Sequence, residues 1–181
     1  MISLELNKLE CKWGHMMNGY VFLLYNIARN MRGLKTILEI GVRHGTSTNA
    51  FLLGIEERKH PEKTHLYSID IKDTSSVLDR FLGEERFNTL KSFWTLIVND
   101  SKKVEWNKEV DVLFIDGNHT YEGAKADYER YMPFVKRGGI ILIHDVLATK
   151  YQEEVGRFWR EIQGNKVELN WSGAGMGIIQ I

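Results

Sequence analysis

Acids and histidines stand directly after several short apolar stretches of the chain. Imidazole titrates near neutral pH, so a histidine placed there can take a proton from a reacting group. A carboxylate can orient that imidazole or bind a hard divalent cation. We therefore single out two histidines as candidate catalytic bases and two acids as candidate metal ligands or base-orienting groups. The histidines are His119 and His144, and the acids are Asp116 and Asp145.

A glycine-containing turn lies after the first apolar stretch. The run 37–40 stops at Gly41, three residues separate it from Gly45, and residues 46–49 can all cap a helix. Glycine lets a ligand approach the backbone closely because it has no Cβ, and a helix start carries unpaired N–H groups. The pattern predicts a strand, a tight turn and a helix N-terminus that bind a polar small ligand. A connecting turn without a ligand gives the same pattern.

Predicted strands and helices alternate along the sequence. Alternation of nearly continuous apolar strands with helices predicts a parallel sheet covered on both faces, and the last two strands predict a hairpin. The fold class is therefore α/β, and 181 residues fit a single domain over residues 1–181, in which 1–33 form an N-terminal lid and helix. The predicted strands are 36–40, 65–70, 93–98, 110–115, 140–143, 167–171 and 176–181, and the predicted helices are 16–31, 46–58, 74–91, 120–133 and 150–163.

Polar residues stand at the ends of the first five predicted strands. Ligands of open α/β sheets bind outside the carboxyl ends of the strands, where the strand order reverses. We therefore expect these residues to line one cleft. They are Glu39, Asp70, Asp100, Asp116 and the pair His144 and Asp145.

Two common nucleotide motifs do not fit the glycine turn. A phosphate-binding P-loop requires four residues between its glycines and a lysine after the second, whereas here Thr46 follows Gly45. The dinucleotide fingerprint requires a glycine where Arg43 stands, so an NAD-dependent oxidoreductase is only a weakly supported alternative. A serine hydrolase is disfavoured because the chain contains no Gly-x-Ser-x-Gly sequence.

The glycine turn instead resembles a known cofactor motif. Glu39-x-Gly41-x-x-x-Gly45, with Asp70 ending the next strand, is similar to motif I and the following acid of class I S-adenosylmethionine-dependent methyltransferases. Within that family, the chain resembles small enzymes whose fourth strand ends in Asp-Gly-x-His and whose fifth ends in His-Asp. The similarity covers residues 35–181 and implies a Rossmann-like methyltransferase fold with seven mostly parallel strands and an antiparallel C-terminal hairpin strand.

The resemblance implies S-adenosylmethionine as the cofactor and a role for each matching residue. The two glycines would approach its methionine part, Glu39 would meet its ammonium group, and Asp70 would bind both ribose hydroxyls. Two alternatives stay open: Glu39 can serve only as an acceptor for the turn or the helix start, and Asp100 can be a solvated turn acid. The implied cofactor-binding residues are Glu39, Gly41, Gly45, Asp70, Asp100, Ser101 and Asp116.

The reaction that the resemblance implies is methyl transfer to a small-molecule acceptor, at the oxygen of a sugar or phenolic hydroxyl. A non-catalytic S-adenosylmethionine-binding module is an alternative. Some methyltransferases of this type hold Mg²⁺ through acids at two strand ends, so we include Mg²⁺ with Asp116 and Asp145 as its candidate ligands. His144 stands where such enzymes tend to have an acid, which is a departure from their pattern.

Composition limits the other partners. Lys plus Arg and Asp plus Glu both number 24, so there is no basic excess of the kind that nucleic-acid binding usually requires. No apolar stretch approaches the roughly 18 residues that span a bilayer. A single cysteine, Cys11, fits a reducing compartment. We therefore expect a cytoplasmic protein that binds neither nucleic acid nor membrane, and a homo-oligomer is compatible with the sequence.

Overall fold

The computed structural model describes residues 19–77, 82–171 and 173–181. The lid predicted at the N-terminus falls largely on residues 1–18, which lie outside the described residues. The predicted helix 74–91 also includes four residues, 78–81, that lie outside them. Among the described residues, no helix is long and apolar enough to span a membrane.

Seven strands form one sheet. In chain order they are β1 Thr36–Ile40, β2 His65–Asp70, β3 Trp94–Val98, β4 Val110–Ile115, β5 Val135–His144, β6 Lys166–Leu169 and β7 Met176–Gln180. Their order across the sheet is β3-β2-β1-β4-β5-β7-β6. Strands β1 to β5 run parallel, and β7 is antiparallel to both of its neighbours. The predicted α/β fold with an antiparallel C-terminal hairpin strand is confirmed.

Helices cover both faces of the sheet. They are α1 Tyr20–Asn30, α2 Thr46–Glu56, α3 Glu84–Leu90, α4 Tyr121–Tyr131 and α5 Val155–Glu161. Successive side chains of a strand point to opposite faces, so Ile37 packs in a core with α1 and α2 while Leu38 packs in a second core with α4 and α5. This two-sided burial explains why the strands are apolar without alternation.

Strand β5 is longer than the sequence-based prediction, which placed this strand at residues 140–143. The strand instead starts at Val135 and continues through both glycines, with a register shift against β4. Gly138 has φ +81°, and the N–H of Gly138 donates to the carbonyl of Ile181 at 2.7 Å. The glycine therefore forms an irregularity that still pairs with the end of the chain, which a reading of local turn residues does not detect.

Candidate functional site

The turn after β1 lies directly against the loop after β4. Gly41 has φ +92°, and a Cβ added to it would lie 2.3 Å from the carbonyl oxygen of Asp116. Gly45 has φ +73° and precedes the first residue of α2. The close approach requires glycine at position 41, and the left-handed φ favours glycine at position 45. Gly41 thereby brings the glycine turn beside Asp116.

Asp70 joins the end of β2 to the same turn. Its Oδ2 accepts hydrogen bonds from the N–H groups of Val42 at 2.8 Å and Arg43 at 3.0 Å, and its Oδ1 accepts from the N–H of Lys72 at 2.9 Å. Arg43 has a left-handed φ of +49°, which this carboxylate supports. The carboxylate is partly exposed at the carboxyl edge of the sheet. Its binding to the ribose hydroxyls stays a prediction.

Glu39 is fully buried beneath the turn. Its carboxylate accepts hydrogen bonds from the hydroxyls of Ser47 at 2.5 Å, Thr48 at 2.7 Å and Ser68 at 2.5 Å. Burial raises the pKa of Glu39 to about 7, although the three hydroxyl groups partly oppose that rise. These contacts favour the alternative in which Glu39 serves as an acceptor for the start of α2. Its contact with a cofactor ammonium group stays a prediction.

The turn after β3 carries the two residues predicted to lie beside adenine. Asp100 Oδ1 accepts a hydrogen bond from the N–H of Lys102 at 3.0 Å and so caps a short turn. Ser101 Oγ donates to Asp127 Oδ1 at 2.6 Å. Burial raises the pKa of Asp127, and the hydrogen bond from Ser101 partly opposes this effect. The adenine contact of Asp100 and Ser101 stays a prediction.

Four predicted residues from two loops form one cluster. Asp116 and His119 follow β4, whereas His144 ends β5 and is followed by Asp145. The Nδ1 atom of His144 lies 3.3 Å from Asp116 Oδ1 and 3.3 Å from Asp145 Oδ2. The Nδ1 atom of His119 lies 3.3 Å from the same Asp145 Oδ2. Carboxylates and imidazoles therefore alternate across the cluster.

The two histidines differ in exposure. The side chain of His144 is 4% exposed, and its ring meets the edge of Tyr20 at 5.6 Å between centroids. Burial lowers the pKa of His144, but the carboxylates of Asp116 and Asp145 outweigh burial and hold that pKa well above its ordinary value. An imidazole that is buried between two carboxylates is poorly placed to take a proton from an acceptor.

His119 is the accessible histidine. Its side chain is 26% exposed and its ring stacks on Tyr151, with 4.5 Å between centroids and 23° between ring planes. Asp145, whose φ of +63° is left-handed, places its Oδ2 3.3 Å from Nδ1 of this ring. Aspartate is among the non-glycine residues that adopt this conformation most readily. The ring of His119 is therefore held both by Tyr151 and by Asp145.

The same cluster fits a divalent cation. Asp116, His144 and Asp145 each offer a ligand atom, and these atoms lie within 4.8 Å of one another. Asp145 Oδ1 is buried and has no hydrogen-bond partner among the described residues. Two carboxylates suit Mg²⁺ or Mn²⁺, while the imidazole nitrogen shifts the preference toward transition metals.

Comparison with known proteins identifies the family. A sequence profile of the methyltransferase domain family matches residues 38–146, which include every cluster residue and the glycine turn. The chain belongs to this methyltransferase family. The predicted resemblance to class I S-adenosylmethionine-dependent methyltransferases is thereby confirmed.

Similar proteins include one sequence relative and two solved structures that support the fold. The chain is 32% identical over 65 residues to the uncharacterized protein y4gI of Sinorhizobium fredii, a match that covers 36% of this chain and only 7% of that protein. The structure of CalS11, a TDP-rhamnose 3'-O-methyltransferase of calicheamicin biosynthesis, is similar at 17% identity and TM-score 0.67, over 89% of this chain and 76% of that one. The O-methyltransferase from Bacillus cereus in complex with SAH is similar at 18% identity and TM-score 0.63, over 88% and 78%.

Three residues of the candidate site were not predicted from the sequence. Tyr20 and Tyr151 pack on the two histidines, but their sequence positions are distant from them, and nothing local marks these contacts. Asp127 carried a detectable signal, because it stands on the inward face of α4 with Ala124 and Tyr131, where an apolar residue is expected. A buried acid on such a face requires a partner, and the partner is Ser101.

Proposed function

We propose that this methyltransferase moves a methyl group from S-adenosylmethionine to a hydroxyl oxygen of a small-molecule acceptor, a sugar or a phenol, and that His119 is its general base. The observation that carries the proposal is the 3.3 Å contact between His119 Nδ1 and the buried Asp145 Oδ2. Two similar structures are described as O-methyltransferases, one of them acting on TDP-rhamnose, which supports a hydroxyl acceptor.

The contact with Asp145 prepares His119 to accept a proton. A carboxylate beside Nδ1 holds the hydrogen on that nitrogen, so the lone pair of Nε2 is available to the acceptor hydroxyl. Stacking on Tyr151 keeps the ring plane fixed. When the proton arrives at Nε2, the imidazolium is stabilised by the negative charge of Asp145. His144 is not the proposed base, because it lies buried between two carboxylates.

S-adenosylmethionine, when bound, would supply a methyl group on a sulfonium sulfur and would leave as S-adenosylhomocysteine, while His119 would hold the proton of the acceptor hydroxyl. Asp70 accepts hydrogen bonds from the ribose hydroxyls with lone pairs that the turn does not use, and the glycine turn admits the methionine part. Asp100 and Ser101 hold the adenine edge. The orientation of the cofactor and the acceptor hydroxyl contributes much of the rate acceleration. The rigidity of the glycine turn therefore matters as well as the base.

A divalent cation would assist the proposed reaction by making the acceptor hydroxyl more acidic. Asp116, His144 and Asp145 would hold it, and its charge would lower the pKa of a bound hydroxyl. Asp145 has two carboxylate oxygens, and only Oδ2 contacts Nδ1 of His119 among the described residues, so a metal ligand and an orienting group could be combined in this residue. The metal stays a proposal, with Mg²⁺ and Mn²⁺ as the candidate ions.

The test is methyl transfer by the purified protein. S-adenosylmethionine is mixed with a panel of nucleotide sugars and catechols, with and without Mg²⁺ or Mn²⁺, and methylated products are measured by mass spectrometry. His119→Ala should lower kcat by at least about a hundredfold while leaving the affinity for S-adenosylhomocysteine unchanged. The matched control is His60→Ala, which removes an exposed histidine paired with Glu62. Full activity of His119→Ala would contradict the assignment of the base.

The same experiment separates the alternatives. A non-catalytic binding module binds S-adenosylhomocysteine in calorimetry and gives no methylated product with any acceptor. An oxidoreductase binds NAD and not S-adenosylhomocysteine, although the family assignment removes the main reason for expecting that result.

A further inference from the structure

A buried carboxylate lies under the turn after β3 and takes no part in the proposed transfer. Asp127 is 2% exposed, and its Oδ1 accepts the hydrogen bond from Ser101 Oγ at 2.6 Å. An ionised carboxylate can only accept hydrogen bonds, so the single hydrogen of the serine hydroxyl is directed at Asp127. Toward any other neighbour, Ser101 Oγ can therefore only accept a hydrogen bond, through its lone pairs.

Helix α4 holds this turn at two further points. The hydroxyl of Tyr131 donates to the carbonyl of Ser101 at 2.5 Å, and Nη2 of Arg130 donates to the carbonyl of Val104 at 2.6 Å. Three residues of one helix therefore bind the segment 101–104. The direction of the Ser101 hydroxyl is fixed by the helix as well as by its own rotamer.

Asp127 also adjoins the loop that follows β4. A Cβ added to Gly117 would lie 3.5 Å from Asp127 Oδ2, and Gly117 follows directly after Asp116. The carboxylate thus lies between the turn after β3 and the loop that carries part of the reactive cluster. This is the side of the sheet edge on which the proposed function places the adenine.

We propose that Asp127 is a positioning residue that makes Ser101 Oγ a hydrogen-bond acceptor, and that this arrangement selects the 6-amino group of adenine. The inference rests on the proposed function, in which Ser101 lies beside the adenine. A 6-amino group donates a hydrogen bond to the serine oxygen. Hypoxanthine carries a carbonyl oxygen in its place, which can only accept, so two acceptors would face each other with no hydrogen between them.

The test compares two ligands whose purine rings differ at position 6 and at the adjacent N1, which carries a hydrogen only in hypoxanthine. Calorimetry gives the Kd of S-adenosylhomocysteine and of S-inosylhomocysteine for the unaltered protein and for Asp127→Ala and Ser101→Ala. The unaltered protein should bind the adenine compound at least about tenfold more tightly, and the ratio of the two Kd values should fall at least about fivefold in each variant. A ratio of affinities is insensitive to a general loss of folded protein.

The matched control is Asp111→Ala. Asp111 is also buried, and its Oδ2 accepts from the N–H groups of Lys35 and Thr36, both at 2.8 Å. It is the second residue of β4 and therefore lies near the opposite end of the strand from Asp116. Asp111→Ala should lower the stability of the protein, but the ratio of its Kd values for S-inosylhomocysteine and S-adenosylhomocysteine should equal that of the unaltered protein.

The outcomes are distinguishable. If the unaltered protein binds S-adenosylhomocysteine without preferring it, or if folded Ser101→Ala and Asp127→Ala keep the full preference, the inference is overturned while the proposed function stands. If the folded protein binds neither ligand, the proposed function fails and the inference fails with it. Because Ser101 is only partly buried, Ser101→Ala provides a test even if Asp127→Ala does not fold.

Discussion

Asp145 Oδ2 lies 3.3 Å from Nδ1 of His119, and the same oxygen lies 3.3 Å from Nδ1 of His144. A single carboxylate oxygen therefore serves two imidazoles on different loops. The backbone of Asp145 adopts a left-handed φ of +63° to bring it there. Such a conformation costs of order 1 kcal/mol for a non-glycine residue. Strain of this kind directs attention to function, which the following predictions test.

Asp145→Asn should lower kcat by at least about a hundredfold, because the amide is nearly isosteric but cannot stabilise the imidazolium form of His119. The affinity for S-adenosylhomocysteine, measured by calorimetry, should stay within about threefold, since the proposed cofactor contacts lie elsewhere. Asp111→Asn, at the other end of β4, is the control and should keep its kcat. A normal kcat in folded Asp145→Asn would refute the orienting role.

The mixed donor set predicts a metal preference. Mn²⁺ should bind at least about tenfold more tightly than Mg²⁺ in calorimetry, because the imidazole nitrogen of His144 is a better ligand for the transition metal. Asp116→Asn should weaken Mn²⁺ binding by a similar factor, whereas Glu62→Gln, which alters an exposed acid far from the cluster, should not. If the folded protein takes up neither ion, the cluster functions as an ion-pair network alone.

The central strands were predictable from the sequence because they are buried on both faces and therefore nearly continuously apolar, as in 110–115. The glycine turn was predictable because the backbone admits only glycine at Gly41 and favours glycine at Gly45. Parallel strands then bring their carboxyl ends together, so Asp116 and His144 could be expected to meet without knowledge of the side-chain rotamers.

Side-chain pairing within the site was not predictable to the same degree. The sequence favoured Glu39 as a cofactor ligand, yet the hydroxyls of Ser47, Thr48 and Ser68 surround its carboxylate. Two of those hydroxyls come from the next helix and one from the next strand. Their convergence depends on how α2 and β2 pack against β1, which no local pattern encodes. Tyr20, which contacts His144 of the cluster, is likewise distant from it in the sequence.

Asp70→Ala should weaken the binding of S-adenosylhomocysteine at least about thirtyfold. The substitution removes the proposed ribose acceptor and also releases the N–H groups of Val42 and Arg43, which orient the glycine turn. Asp70→Asn is the second variant, because the carbonyl oxygen of asparagine can still accept hydrogen bonds from the turn. It should lose less affinity for S-adenosylhomocysteine than Asp70→Ala. Calorimetry measures both, and circular dichroism verifies the fold. Unchanged affinity in a folded Asp70→Ala variant would remove this residue from the cofactor site.

Gly41→Ala should destabilise the protein by more than about 3 kcal/mol. The added Cβ would meet the backbone of Asp116 at 2.3 Å, and φ is +92°. Gly33→Ala is the control, since Gly33 has a similar φ of +69° but nothing within 4 Å. That variant should lose only about 1 kcal/mol from backbone strain. Urea unfolding gives the free energy of unfolding of both variants. Equal losses would show that the close approach of Gly41 to Asp116 adds nothing to the cost of the substitution.

Glu39 should make the stability of the protein depend on pH between about 4.5 and 7. Its pKa rises from 4.5 to about 7 on burial, so in this range the folded chain binds more protons at Glu39 than the unfolded chain does. Stability falls with rising pH wherever the folded state binds more protons. The contribution of Glu39 is therefore fully present below about pH 4.5 and is lost as pH rises to about 7, with a total change of roughly 3 kcal/mol.

Glu39→Gln isolates this contribution, because glutamine does not titrate while every other group of the protein still does. The free energy of unfolding in urea is measured for both proteins at pH 5 and pH 8. The unaltered protein should lose about 2 to 3 kcal/mol more than Glu39→Gln between these two values. Parallel pH profiles of the two proteins would show that the carboxyl stays ionised in the fold. The three hydroxyl donors would then offset the cost of burying its charge, and Glu39 would be free to meet a cationic group of the cofactor as a carboxylate.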